Sequence, residues 1–126
     1  MRSSVRARRD QEDDQLDLIF HALADRTRRA LLRRLSAGPL MVSALARPLA
    51  MSRPAATKHL RVLEQAGLVV RAIDGRVHRC SLEGAPLRQV ETWLADYRVF
   101  WDGALEALAQ YAAANAPSPK RPGRAK

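Results

Sequence analysis

The sequence predicts a single, mainly α-helical domain with one small β-hairpin, and three observations support this expectation. The chain has 126 residues, of which 47% are hydrophobic, which is enough for one core but too little for two ordinary domains. Apolar residues recur at spacings of three and four over most of residues 14–113, as amphipathic helices require. Asp74-Gly75 lies between two short β-prone runs, which is a hairpin pattern. We therefore expect four helices, a two-stranded hairpin and a last helix, in that order.

The first two helices follow from periodicity and capping. Residues 14–24 place apolar side chains on one face, and the carboxylate of Asp25 can cap a second helix over residues 26–36. Gly38-Pro39 ends that helix. The side chains expected to point inward are Leu16, Ile19, Phe20, Leu23, Leu31, Leu32 and Leu35. Those expected to point largely outward are Arg28, Arg29, Arg33 and Arg34.

The third and fourth helices are separated by a short turn. Residues 42–47 form a brief third helix, and Pro48 limits its length. Ser52 is a good N-cap for the fourth helix, and Pro54 falls in its first turn, where a missing amide hydrogen costs least. Gly67 supplies a left-handed stop. The core residues expected in these helices are Val42, Leu45, Ala46, Ala56, Leu60 and Leu63.

The hairpin is predicted to project a cationic tip. Its apolar residues are Val69, Val70, Ile73, Val77 and Leu82. The residues expected to cluster around the tip are Arg71, Arg76, His78 and Arg79.

The last helix, over residues 86–113, carries an apolar seam with alternating spacings of three and four, which is a heptad pattern. Five of the six aromatic residues of the chain lie in it, and a small domain offers little core to absorb them all. We therefore expect a homodimer. The predicted interface residues are Leu16, Ile19, Leu87, Val90, Leu94, Tyr97, Trp101, Leu108 and Tyr111.

Positive charge is concentrated in the middle of the chain. The formal net charge of the chain is +9. The segment from Arg26 to Arg79 contains twelve basic residues and only two acidic ones, Glu64 and Asp74, so this segment alone carries +10. Such a field attracts polyanions and is the electrostatic footprint of a nucleic-acid binder.

The two ends of the chain look unlike the middle. Residues 1–13 contain a basic run, an acidic run and almost nothing to bury, which predicts a disordered arm. Residues 114–126 are rich in proline and cations and predict a disordered basic tail. The folded domain is therefore expected over residues 14–113.

Helix, short helix, turn, helix and basic hairpin is the order of a winged helix-turn-helix. In that arrangement the first turns of the fourth helix, the recognition helix, bring side chains to base edges in the major groove, and the hairpin is the wing. Arg53 can offer a forked donor to guanine, Thr57 a hydroxyl or methyl, and Lys58 a donor to base or phosphate. His59 and Arg61 flank this surface and are expected to touch the DNA backbone. The full set predicted to contact DNA is Ser52, Arg53, Ala55, Thr57, Lys58, His59, Arg61, Arg71, Arg76 and Arg79.

The segments HALADRTRRALLRRL, residues 21–35, and MSRPAATKHLRVLEQAGLVVR, residues 51–71, resemble the ArsR family of winged-helix repressors. The resemblance extends over about residues 16–111. It implies a homodimer held by the first and last helices, which binds an imperfect inverted repeat in duplex DNA and blocks transcription. It is closest to members that lack metal ligands and repress their own operon.

Departures from the family pattern bear on metal sensing. Many relatives carry proline where Arg26 stands, and either residue suits a helix start. Some metal-sensing members place cysteines in the helix before the recognition helix, and this chain has none there. Others carry paired histidines and acids on the last helix, and residues 86–113 contain no histidine. We therefore expect no metal and no cofactor. His21 and the lone Cys80 are interpreted as structural residues, although a redox signal at Cys80 and a small-molecule effector both stay open.

Three other functions are weighed against this interpretation. An enzyme is disfavoured, because the sequence has no glycine-rich phosphate loop and no recognisable nucleophile and base. A nonspecific architectural DNA-binding protein is the main alternative, because the same charges bind any duplex. A membrane-surface role would need a broad exposed apolar face, and each apolar face here has a core or partner to meet. With no long apolar run and a charged N-terminus, the protein is expected in the cytoplasm.

Overall fold

The computed structural model describes residues 2–115, with side chains from Ser4 onward, and confirms a mainly helical chain with a β-hairpin wing. The helices are α1 (Arg2–Leu23), α2 (Arg26–Leu35), α3 (Val42–Ala46), α4 (Arg53–Gln65), α5 (Ala85–Ala95) and α6 (Arg98–Asn115). The strands are β1 (Leu40–Met41), β2 (Val69–Asp74) and β3 (Val77–Leu82), and a 3₁₀ turn spans Arg47–Leu49. Within residues 2–115 no helix is both long and apolar enough to cross a bilayer.

One core holds the chain together as far as Glu91. The predicted inward faces of α2, α3 and α4 are buried, because the apolar residues of each helix recur on one side. Ala22, Ala66, Leu68 and Cys80 join this core, and Leu23, Leu40, Leu49 and Val90 pack against it. The buried residues predicted from sequence are Ile19, Leu31, Leu32, Leu35, Val42, Leu45, Ala46, Ala56, Leu60, Leu63 and Val69.

The wing is the larger part of a three-stranded antiparallel sheet with strand order β1-β3-β2. The two residues of β1 extend it, and Cys80 lies between Leu40 and Arg71 in the register. Asp74 pairs with Val77, so the turn consists of Gly75 and Arg76, one residue later than the Asp-Gly pattern indicated. Gly75 has φ 62°, as the first central residue of a type II′ turn requires.

Helix α1 is twice as long as expected. The disordered arm predicted over residues 1–13 was wrong for residues 2–13, which continue the helix, although residues 4–15 are all exposed. Opposite charges four residues apart favour a helix, since such positions are neighbours on its surface. Three such pairs occur here, namely Arg6 with Asp10, Arg8 with Glu12, and Arg9 with Asp13.

The predicted single last helix is also wrong, because it is broken between Ala95 and Arg98. The amides of Asp96 and Tyr97 donate to carbonyls three residues back, at 3.2 and 2.9 Å, which closes α5 with a tight turn. The Trp101 amide donates to the Tyr97 carbonyl at 3.0 Å and so starts α6. The heptad seam is therefore interrupted. Of the predicted tail, residues 114 and 115 belong to α6, and residues 116–126 lie outside the described part.

Candidate nucleic-acid interface

A short turn and a side-chain cap fix the start of α4, the recognition helix. Ala50 ends the preceding 3₁₀ turn with φ 52° and ψ 38°, a left-handed conformation that is costly for a residue with a Cβ. Ser52 is extended, and its hydroxyl accepts a hydrogen bond from the Ala55 amide at 3.2 Å, as predicted for an N-cap. The Ser52 hydroxyl is therefore already engaged in starting the helix.

The polar face of α4 is open to solvent. Arg53, Pro54, Thr57, Lys58 and Arg61 together line one open depression. The three cations among them are exposed, and Thr57 is half-buried. The structure therefore brings together the side chains that the sequence assigned to base reading. Three cations in one concavity, with no acidic residue lining it, form a surface suited to a phosphate-lined groove.

His59 is placed differently from these residues. It is half-buried and turned toward the junction of α1 and α2, where its Nδ1 lies 3.9 Å from Asp25 Oδ2 and 3.5 Å from Arg28 Nη1. Asp25 caps α2 by accepting from the Arg28 amide at 3.0 Å. That backbone hydrogen bond, with smaller contributions from the charges of Arg28 and His59, holds the pKa of Asp25 below its usual range. His59 therefore contacts the helix that supports α4, and the prediction that it flanks the reading surface is not supported.

Several arginines expected to point outward instead bind backbone carbonyls. Arg28 is only 12% exposed and donates to Ala22 O at 2.8 Å and His21 O at 2.9 Å, so it caps the end of α1. Arg29 donates to Leu23 O at 2.8 Å, and Arg34 reaches Ala44 O at 3.3 Å. The outward prediction was wrong for Arg28 and Arg34, because a helix end leaves carbonyls that arginine can satisfy.

The cations of the wing are also of two kinds, some exposed to solvent and one bound to a protein group. Arg76 lies in the turn and Arg79 on β3, and both are exposed. Arg71 was wrongly placed at the tip, because it pairs with Cys80 well back along the hairpin. Its side chain is 15% exposed, and the guanidinium donates to Glu64 Oε1 at 2.6 Å. The sequence carried one signal for this ion pair, since Glu64 is one of only two acids in the basic segment.

The predicted dimer-interface residues fall into three groups by exposure. Ile19 has no exposed surface, so its assignment to an interface was wrong, because the core already covers it. Val90 packs against the same core, and Leu16 and Leu94 are half-buried. The remaining residues expose large apolar surfaces, and they are Leu87, Tyr97, Trp101, Leu108 and Tyr111.

Cys80 has the packing role predicted for it. The side chain has no exposed surface, and burial raises the pKa of its thiol. The charge of Arg71 opposes this rise, and the charge of Glu64 adds to it. Among the described residues, no three histidine, cysteine or acidic side chains are grouped so as to hold a metal ion.

Comparisons with known proteins agree with this geometry. A helix-turn-helix domain model matches residues 23–72, which run from the end of α1 into β2. The HTH-type transcriptional regulator Rv2034 of Mycobacterium tuberculosis is 44% identical over 94 residues, covering 75% of this chain and 85% of that protein. This relative is a transcriptional regulator, so the comparison does not favour a nonspecific architectural role for the chain.

Solved structures give the family. The crystal structure of the ArsR family transcriptional regulator RHA00566 matches with a TM-score of 0.67 and 47% identity, over 71% of this chain and 93% of that one. A solution structure of the homodimeric winged helix-turn-helix DNA-binding domain of Mb0332 from Mycobacterium bovis, a possible ArsR-family regulator, matches with a TM-score of 0.59 and 28% identity, over 79% and 90%. The chain belongs to the ArsR family of winged helix-turn-helix transcriptional regulators.

Proposed function

We propose that this regulator is a homodimeric repressor of its own operon that binds an imperfect inverted repeat in duplex DNA. The observation that carries the proposal is the open face of α4, where Arg53, Lys58 and Arg61 line one depression beside Thr57. A helix fits the major groove, and side chains of its first turns reach base edges there. In this proposal Arg53 reads guanine and Lys58 contacts base or phosphate.

The wing and the helix start supply the sequence-independent contacts. Arg76 and Arg79 are exposed cations within the compact unit that also contains α4, and we assign them to phosphates. Ser52 and Ala55 lie at the N-terminus of α4, where helix amides favour a phosphate. Phosphate contacts fix the register of the protein, and only the base contacts carry sequence information.

Dimerisation is assigned to α1, α5 and α6. The Mb0332 domain is described as homodimeric, and α6 of this chain leaves Val99, Phe100, Leu105, Leu108 and Tyr111 exposed. Exposed apolar surface on this scale is unusual for a monomer. A two-fold pair of subunits reads a two-fold DNA site, so an inverted repeat follows from the dimer. We place its action in the cytoplasm, where the operon is transcribed.

The test compares two DNA duplexes of equal length. One carries the region upstream of the gene for this chain, and the other is a shuffled version with the same composition. At moderate salt we expect the upstream duplex to bind on the order of 10³-fold more tightly or better. Equal affinity for the two duplexes would reject a repressor and indicate a protein that coats any DNA. Transcription in vitro from the upstream promoter should then fall as protein is added, and a rise would identify an activator.

A further inference from the structure

A half-buried ion pair joins the recognition helix to the wing. Glu64 lies in the last turn of α4, and Arg71 lies on β2. The Arg71 guanidinium donates to Glu64 Oε1 at 2.6 Å, and its other terminal nitrogen lies 3.5 Å from His78 Nδ1 on β3. One side chain thus contacts α4 and the second strand of the hairpin while belonging to the first strand.

The ion pair is shielded from solvent to an extent that lets it restrain the position of Arg71. Arg71 is 15% exposed and Glu64 32%, and Arg71 Nε is buried without a protein partner among the described residues. A charge-assisted bond of this length is strong, and removing one partner leaves a half-buried charge without its partner. The ion pair therefore favours one place for the guanidinium, against the end of the recognition helix.

The alternative role for Arg71, a direct phosphate contact, is hard to combine with this geometry. To reach DNA the guanidinium would have to leave Glu64, and the half-buried Glu64 carboxylate would then lose its charged partner. Arg76 and Arg79 are exposed on the same hairpin and need no such rearrangement.

We propose that Glu64 and Arg71 are positioning residues that fix the wing against the recognition helix, so that Arg76 and Arg79 meet phosphates while Arg53 meets bases. This inference rests on the proposed function, since it concerns how two parts of one DNA-binding surface are held in register. It assigns to an acidic side chain a positive contribution to DNA binding.

The sign of that contribution provides the test. Glu64→Ala and Glu64→Gln each remove one negative charge from a basic surface, and electrostatics alone predicts that both bind DNA more tightly. Positioning predicts the opposite for Glu64→Ala, with a loss on the order of tenfold, comparable to losing the phosphate contacts of the wing. Glu64→Gln keeps an acceptor oxygen for Arg71 and should stay near the wild-type affinity. Asp74→Asn is the matched control, because it removes the same charge from the end of β2 and should bind equally or more tightly.

A double-mutant cycle shows whether the wing itself has moved. In the wild type, Arg76→Ala should weaken binding to every duplex and reduce the slope of log affinity against log salt by about 0.9. In the Glu64→Ala background the same substitution should cost less and change the slope less, because the wing no longer reaches the phosphates. Additive effects, together with tighter binding by Glu64→Ala, would overturn the proposal.

A further variant covers a Glu64→Ala chain that does not fold. Arg71→Lys keeps the charge but loses the forked donor, so a positioning role predicts a loss on the order of tenfold, whereas a phosphate contact would tolerate lysine with little loss. Wild-type affinity for Arg71→Lys would overturn the proposal. Failure of the proposed function is distinguishable, because the unmutated protein would then bind the upstream and the shuffled duplexes with equal affinity, whatever the effect of the Glu64 and Arg71 variants.

Discussion

At the scale of single residues, arginine serves two distinct purposes in this protein. Arg53, Arg61 and Arg76 are exposed, whereas Arg28 and Arg71 are mostly buried and hold protein acceptors. A planar guanidinium with several donors suits both tasks. Sequence counts all of them as equal positive charges, and only burial and hydrogen bonding separate the cations that can reach DNA from those that brace the fold.

Replacing Arg53 and replacing Arg76 by alanine should change DNA affinity in two different ways. Arg53→Ala should lose discrimination at one base position per half-site, by roughly 1 to 3 kcal/mol if its contact is bidentate. Arg76→Ala should weaken all sequences alike and flatten the salt dependence. Affinities for a panel of single-base operator variants at several salt concentrations measure both effects. Interchanged effects would show that the reading surface has been misplaced.

Asp25 should contribute stability that depends on pH. Its folded-state pKa lies below the ordinary aspartate value of about 4. The contribution is therefore complete above that ordinary value and is lost as pH falls through the lower folded-state pKa. Asp25→Asn retains a good N-cap but removes this titration, whereas Asp25→Ala should also cost about 1 kcal/mol at neutral pH. Urea unfolding from pH 7 to pH 2 measures the difference, and an unchanged difference between wild type and Asp25→Asn across that range would contradict the assignment.

Residue types and periodicity predicted the interior well, but not the polar partners. The core positions of α2, α3 and α4 were confirmed, because helical spacing alone decides which side chains share a face. The Ser52 and Asp25 caps were confirmed for a similar reason, since a cap contacts residues only three positions away. The contact between His59 and Asp25 joins two helices that are distant in sequence, and no local sequence pattern predicts it.

At the scale of elements, the boundaries were predicted wrongly where no local sequence pattern marks them. No proline or glycine lies between Trp93 and Val99, so nothing in the sequence marks the break between α5 and α6. The rings of Trp93 and Tyr97 still lie 5.0 Å apart across the end of α5, as residues four apart in a helix would. β1 was missed because two residues carry no strand periodicity, and it exists only through its pairing with β3.

The turn before the recognition helix offers a stability test. Ala50 is the one described non-glycine residue with positive φ. Ala50→Gly removes a cost of roughly 1 to 2 kcal/mol for a left-handed alanine and adds a backbone entropy cost of about 0.5 to 1 kcal/mol, so we expect a stabilisation of up to about 1.5 kcal/mol in urea unfolding.

Gly67→Ala is the matched control for Ala50→Gly. Gly67 has φ 76°, and a Cβ there would meet Pro86 Cγ at an ordinary 3.5 Å, so the expected loss of about 1 kcal/mol is conformational. A destabilised Ala50→Gly variant would show that the turn conformation is not the source of the cost.

At the scale of the whole molecule, the exposed apolar surface is concentrated after Glu91. Residues 92–115 belong to a separate compact unit, and α6 has no buried residue. The helix carries its charged residues Arg98, Asp102 and Glu106 at a spacing of four, which leaves a broad apolar face. In the homodimer proposed above, a second copy would bury this face.

Disrupting that face should separate the subunits. Leu108→Glu places a charge among exposed apolar residues, and we expect a monomer in sedimentation velocity. Operator affinity should fall about 100-fold or more, because each subunit then binds one half-site without the effective concentration of its partner. Glu106→Gln, on the polar side of the same helix, should remain dimeric. A dimeric Leu108→Glu protein would place the interface elsewhere.

Because Cys80 is buried, the reactivity of its thiol can report local opening of the protein. The chain contains a single sulfhydryl, which is enclosed by the sheet and protonated at neutral pH. A labelling reagent such as a disulfide-exchange chromophore can react only during excursions that expose β3, so its rate measures the free energy of those excursions. Operator DNA should slow this reaction if it clamps the wing, which would give a kinetic assay of occupancy without any engineered probe.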